Sequence, residues 1–189
     1  MGVQRETTQS LRWTLREATR DSHHALDRVA GSFDLQTLEG LRSFLDANAA
    51  AYAALVRYDH FFDGHIGRRL KLIEKDLSQI GGRAQGILPE FTAPTDATAL
   101  GYRYVVAGSS LGGRMLARVQ AGAKDKRVLL AGRFLADPEL TTLWRGVLGQ
   151  LDQVRVDTSA ANEAVTGAHA CFTLFANAFK AQTLVVAKP

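Results

Sequence analysis

A single cysteine, four prolines and an aromatic share of only 8% mark this chain of 189 residues, and each scarcity closes off a class of function. Cys171 stands in the apolar run Ala170-Cys171-Phe172-Thr173-Leu174-Phe175, so an intrachain disulfide is impossible and a CxxC metal or redox pair is absent. That usage fits a reducing cytoplasm. No stretch approaches the roughly 18 uncharged apolar residues that a membrane span requires, and the polar segment Met1–Ser10 has no apolar signal core. Neither secretion nor a membrane association is expected. Internal repeats, low-complexity tracts and interdomain linkers are missing too. The expectation is one domain over residues 11–187 behind a flexible arm at residues 1–10.

What is present is ordinary globular material, 46% hydrophobic and 22% charged, with a formal net charge of +4. A basic balance suits nucleic acid, an anionic small ligand or an acidic protein partner. The clusters Arg68-Arg69-Leu70-Lys71 and Lys124-Asp125-Lys126-Arg127 lack interleaved aromatics for base stacking, so no nucleic acid is expected as a partner.

Apolar residues recur at helical spacing almost throughout, and alternating strand patterns are hard to find, which predicts an all-α, multi-helical domain. A first helix along Leu11, Leu15, Ala18, Ala25, Leu26 and Val29 should stop at Gly31; a second, capped by Asp34, should run to about Phe61. A short third helix over Leu70, Ile73, Leu77 and Ile80 precedes a long loop from Gly81 to Pro94. Helices then follow from Thr95 or Asp96 to Val119, from Asp137-Pro138 to about Val154, and from Ala160 to Val185.

Two constellations carry chemistry. On the first helix, His23 falls at the edge of the apolar stripe, with Thr19 and Asp27 one turn to either side and Arg16 two turns back, whereas His24 points away from the core. A neutral imidazole there can serve as an axial ligand to iron, or it can be a half-buried histidine hydrogen-bonded to Thr19 or Asp27. The second is Tyr102-Arg103-Tyr104-Val105-Val106-Ala107-Gly108-Ser109-Ser110-Leu111-Gly112-Gly113-Arg114, helical by periodicity yet holding three glycines in six residues. Each interior glycine costs roughly 0.5 to 1 kcal/mol against alanine, so close approach of a second helix or of a flat ligand should offset it.

Leu15-Arg16-Glu17-Ala18-Thr19-Arg20-Asp21-Ser22-His23-His24-Ala25-Leu26-Asp27 together with Gly108-Ser109-Ser110-Leu111-Gly112-Gly113-Arg114 resembles the heme oxygenase family, above all its bacterial, bacteriophytochrome-associated members. The resemblance implies a heme oxygenase-like helical fold and oxidative cleavage of heme b, both substrate and cofactor, to biliverdin, CO and ferrous iron. O2 is consumed, and electrons come from an external donor such as a ferredoxin, flavodoxin or reductase. It implies that His23 is the axial iron ligand, that Arg16 reaches a propionate, and that Gly108, Gly112 and Gly113 let backbone and water approach the distal side. Ser109 takes a water contact where animal members carry aspartate. Asp27, Tyr102, Tyr104 and Phe172 are the remaining expected contacts, with Phe175 and Phe179 as further wall candidates, and a biliverdin-using phytochrome is an expected consumer. Ala107 replaces an acidic residue of many relatives, which implies an altered proton-delivery network and keeps a non-catalytic heme carrier, or a helical module without heme, as alternatives.

A carboxylate-bridged di-iron bundle is disfavoured because no Glu-x-x-His pair occurs. Asp59, His60, Asp63 and His65 straddle a helix end and read as solvated.

Overall fold

The computed structural model describes residues 10–84 and 88–186, and every regular element among them is helical. The expected arm, apart from Ser10, lies outside the described residues. In chain order the helices are α1 (Leu11–Ala18), α2 (Arg20–Ala30), α3 (Leu38–Leu55), α4 (His65–Gln79), α5 (Ala99–Gln120), α6 (Lys126–Leu130), α7 (Glu139–Leu151) and α8 (Ser159–Val186), with a 3-10 stretch Val56–Phe62 after α3. The bundle is organised on α8, against which α1, α2, α3 and α5 all pack; α7 lies along α5, and α4 along α3. Among the described residues no helix is long and apolar enough to cross a membrane.

Several ends differ from the periodicity-based expectation, each for a local hydrogen-bonding reason. The expected first helix is interrupted at Thr19, whose backbone lies at φ −99°, ψ 4° and whose hydroxyl donates to the Leu15 carbonyl at 2.7 Å. A threonine satisfying itself on the preceding turn is a recognised cause of helix bending. Thr37, rather than Asp34, caps α3 by accepting from the Gly40 amide at 3.1 Å, because the Asp34 carboxylate is engaged by the Gln36 amide at 3.0 Å. Helix α4 begins earlier than expected: Asp63 (φ 53°) and Gly64 (φ 80°) turn the chain through the left-handed region. Asp59 then accepts from the Ile66 and Gly67 amides at 2.8 and 2.9 Å, where a carboxylate also complements the helix dipole. The Lys124–Arg127 cluster is likewise a helix start, since Asp125 accepts from the Arg127 amide at 2.8 Å and opens the short α6.

The tightest helix contact is made by two glycines that attract no notice in the sequence. A Cβ on Gly101 of α5 would sit 1.9 Å from the Ala164 carbonyl oxygen of α8, and a Cβ on Gly167 would sit 2.1 Å from the Thr98 carbonyl oxygen. Backbone therefore meets backbone where α5 crosses α8, an approach open only to residues without a side chain.

The irregular segment between α6 and α7 is fixed by buried charge. Asp76, fully buried, accepts from the Phe134 amide at 2.8 Å and from Arg133 at 3.1 Å. Asp137, with a side chain 1% exposed, pairs with Arg68 at 2.7 Å and Arg69 at 3.1 Å. Burial alone would push the Asp137 carboxyl up, but the Arg68 hydrogen bond, the Glu139 amide and both guanidiniums hold it below the usual carboxylate range.

Candidate functional site

Helix α2 carries His23 and buries none of its own residues completely. The His23 ring packs edge-on against Phe172 of α8, centroids 5.7 Å apart, and leaves 59% of its side chain exposed. Its Nδ1 lies 2.9 Å from an Asp27 carboxylate oxygen. A carboxylate at that distance selects the tautomer with hydrogen on Nδ1, which leaves the Nε2 lone pair free and aims the ring. The Thr19 hydroxyl donates to the Leu15 carbonyl, and the side-chain partner of His23 is Asp27. The His24 ring is 6.4 Å from that of His23.

Across α8 from α2 runs α5. At 100° per residue, Tyr104, Gly108, Leu111, Gly112, Met115 and Val119 share one face of this continuous helix. That face is bare beyond Gly108: Leu111 and Met115 are 61% and 65% exposed, a Cβ on Gly112 would meet nothing within 4 Å, and one on Gly113 would only touch the Leu135 carbonyl at 3.4 Å. Helix packing, which explains Gly101 and Gly167, therefore does not explain Gly112. Helices α2 and α5 both pack on α8 and scarcely meet each other, so the histidine and the bare glycine face flank a slot floored by α8.

One end of the slot is basic and aromatic. The Tyr104 hydroxyl is pushed up by burial, against a hydrogen bond with Thr19 and the nearby charges of Arg12 and Arg16. Arg12 lies over the Trp144 ring at 5.9 Å and Arg16 over Trp13 at 5.1 Å; neither has a carboxylate partner among the described residues. The expected site residues Arg16, Tyr104, His23, Asp27 and Phe172 are thus brought to one region. Tyr102 is not: it is fully buried and its hydroxyl donates to the Thr92 carbonyl, which corrects its expected role as a ligand contact. Phe175 packs on Tyr52 at 5.6 Å, whereas Phe179 belongs to the core with Phe33 and Phe44.

Sequence reasoning missed a buried polar series ending at the glycine face. Arg69, paired with Asp137, donates from Nε to the Tyr52 hydroxyl at 2.8 Å, and that hydroxyl in turn interacts with Ser109. Burial pushes the Tyr52 phenol up, opposed by Arg69. The signal available was Arg69 itself, which lies three residues after Ile66 and four before Ile73 on the apolar stripe of α4, a position that a charged residue occupies only with partners. Ala107, in contrast, is fully buried and points away from the open face, so its departure from an acidic residue does not alter the slot.

The Asp59, His60, Asp63 and His65 cluster is dispersed into other work: Asp59 caps α4, Asp63 pairs with Arg103 at 2.8 Å, and His60 lies against Phe61. No group of three or more potential metal ligands occurs among the described residues. Two surface concavities, of about 410 and 400 Å³, contain none of the slot residues.

No family model matches the chain. Over 108 residues, 57% of this chain, it is 30% identical to a heme oxygenase of Xanthomonas campestris pv. campestris, and it spans 65% of that protein's length. In three dimensions it superposes with a TM-score of 0.70 on the NO- and CO-bound heme oxygenase of Neisseria meningitidis, at 18% identity and covering 95% of both chains. At 18% identity the Neisseria likeness bears on the fold alone; the site rests on this chain's own residues, with an aimed histidine on one wall of the slot and the exposed Gly112 on the other.

Proposed function

We propose that the chain is a heme oxygenase, which takes heme b as substrate and cleaves it with O2 and external electrons to biliverdin, CO and ferrous iron. The observation that carries this reading is the unpacked glycine face of α5 set across α8 from His23. A glycine at Gly112, where nothing of the polypeptide lies within 4 Å, costs helix stability that a ligand on the open face would offset. The donor set fits: an imidazole with a free Nε2 suits heme iron, and the Asp27 contact orients its ring. Bound heme supplies an iron that takes up O2. The protein positions the macrocycle with Phe172 and offers Arg16 and Tyr104 to its propionates, while Ser109, whose hydroxyl donates to the Val106 carbonyl at 2.7 Å, ends the Asp137, Arg69 and Tyr52 series.

Electrons come from an acidic ferredoxin, flavodoxin or reductase, for which a net charge of +4 is favourable, and the setting is cytoplasmic, with biliverdin available to a phytochrome. The test is a visible titration with hemin followed by ascorbate in air. A Soret band that forms and then decays as a biliverdin absorption rises supports the oxygenase. A Soret band that persists identifies a heme carrier, and the absence of any spectral change overturns the reading.

One substitution separates the glycines' cost from their use. Gly112→Ala is expected to stabilise the free protein by about 1 kcal/mol, because a helix former replaces glycine where nothing is within 4 Å. The same methyl intrudes on the ligand's side of α5, so hemin affinity should fall. Thermal melts with and without hemin read both effects on one sample.

A further inference from the structure

Trp144 of α7 has no assigned part in the reading above, and its surroundings are unusual. A Cβ on Gly108 would lie 3.6 Å from Trp144 Cζ3 and 4.0 Å from Cη2, so the six-membered ring of the indole lies against the first glycine of the open α5 face. The indole also packs on Tyr104, centroids 5.7 Å apart with the planes at 47°, and the Arg12 guanidinium lies over it at 5.9 Å. Three elements thus hold one ring: α5 through Tyr104 and Gly108, α1 through Arg12, and α7 itself, whose residues Leu140, Leu143, Val147 and Leu151 are buried. Beyond this point along α5, the same face is bare at Leu111, Gly112 and Met115.

From this arrangement we propose that Trp144 is the lateral stop of the slot, a positioning residue that limits how far a flat macrocycle slides along α5 toward α7 and so selects which meso carbon is cleaved. The inference rests on the heme oxygenase reading. A rigid tetrapyrrole lying over Gly112 would be bounded by the indole where it covers Gly108. Aromatic edges are well suited to such a boundary, because an indole has few rotatable bonds and its ring is already fixed by its neighbours. Its removal leaves the histidine, the glycines and Arg16 in place but frees the in-plane register of the ligand.

The experiment compares the wild type with Trp144→Ala and Trp144→Phe, each loaded with hemin. Proton NMR of the cyanide-ligated ferric complexes reads how the macrocycle is seated, and chromatography of the products reads the biliverdin isomers. Trp144→Ala is expected to lose about tenfold in hemin affinity, to show a second set of shifted heme methyl resonances and to release a second isomer. Trp144→Phe, which keeps a ring but falls short of Gly108, should move all three readouts less in the same direction. Variants that bind hemin with the wild-type methyl shifts and isomer overturn the role of Trp144 and leave the oxygenase standing. A wild-type protein that fails to bind hemin overturns both.

Discussion

His23→Ala is expected to abolish axial ligation and turnover while leaving the fold untouched. The side chain is 59% exposed and α2 buries no residue completely, so truncation removes little packed surface and should change stability by no more than about 0.5 kcal/mol. Its loss at the ligand is of a different order, because no other residue on α2 presents an imidazole to the slot: His24 lies one residue on, turned by about 100°. The check is the visible spectrum of the hemin complex, which should lose its histidine-ligated form and regain it when free imidazole is added. Asp27→Ala should be milder, lowering hemin affinity by about 10- to 100-fold, the usual cost of removing the group that orients a metal-bound histidine. If His23→Ala bound hemin with an unchanged spectrum, the ligand would have to be sought elsewhere.

Gly101→Ala is expected to be the most damaging of the small substitutions. Its new methyl would sit 1.9 Å from the Ala164 carbonyl oxygen and 2.4 Å from the Ala168 nitrogen, both backbone atoms that no rotamer change can clear. The central helices α5 and α8 must therefore separate, and a shift there propagates into α3, α2 and α1, which all rest on α8. Overpacking of a well-filled core ordinarily costs about 1 to 3 kcal/mol, and a backbone clash at the main helix crossing should reach or exceed the upper end. Urea unfolding of Gly101→Ala beside Gly112→Ala checks the claim, since the same chemical change on the same helix should have opposite signs.

That contrast also locates what was legible in the sequence. The cluster Gly108, Gly112 and Gly113 is conspicuous because three glycines in six residues violate helix propensity, and periodicity alone located the long helices. The isolated Gly101 and Gly167 are invisible by the same logic, because their need arises only where two distant segments cross. Tyr52 and Arg69 meet across 17 residues of sequence, a pairing that depends on how α3 packs on α4. Tyr102 looked equivalent to Tyr104 because both flank the glycines, but two residues on a helix are 200° apart, and one face is the core while the other opens to the slot. Helix ends were misplaced where two capping candidates competed, as with Asp34 and Thr37, and α6 was missed because five residues carry too little periodicity to register.

The interruption at Thr19 has a thermodynamic corollary. It divides the N-terminal helical stretch into two pieces that differ in how firmly they are held: α1 is anchored by the fully buried Leu11 and Leu15, and α2 by no buried residue at all. Opening free energy scales with the apolar surface that must be uncovered, and of the two pieces α2 holds only partly buried apolar residues, Leu26, Val29 and Ala30. Whatever binds Nε2 of His23 adds its own affinity to the half of that stretch that has no fully buried residue.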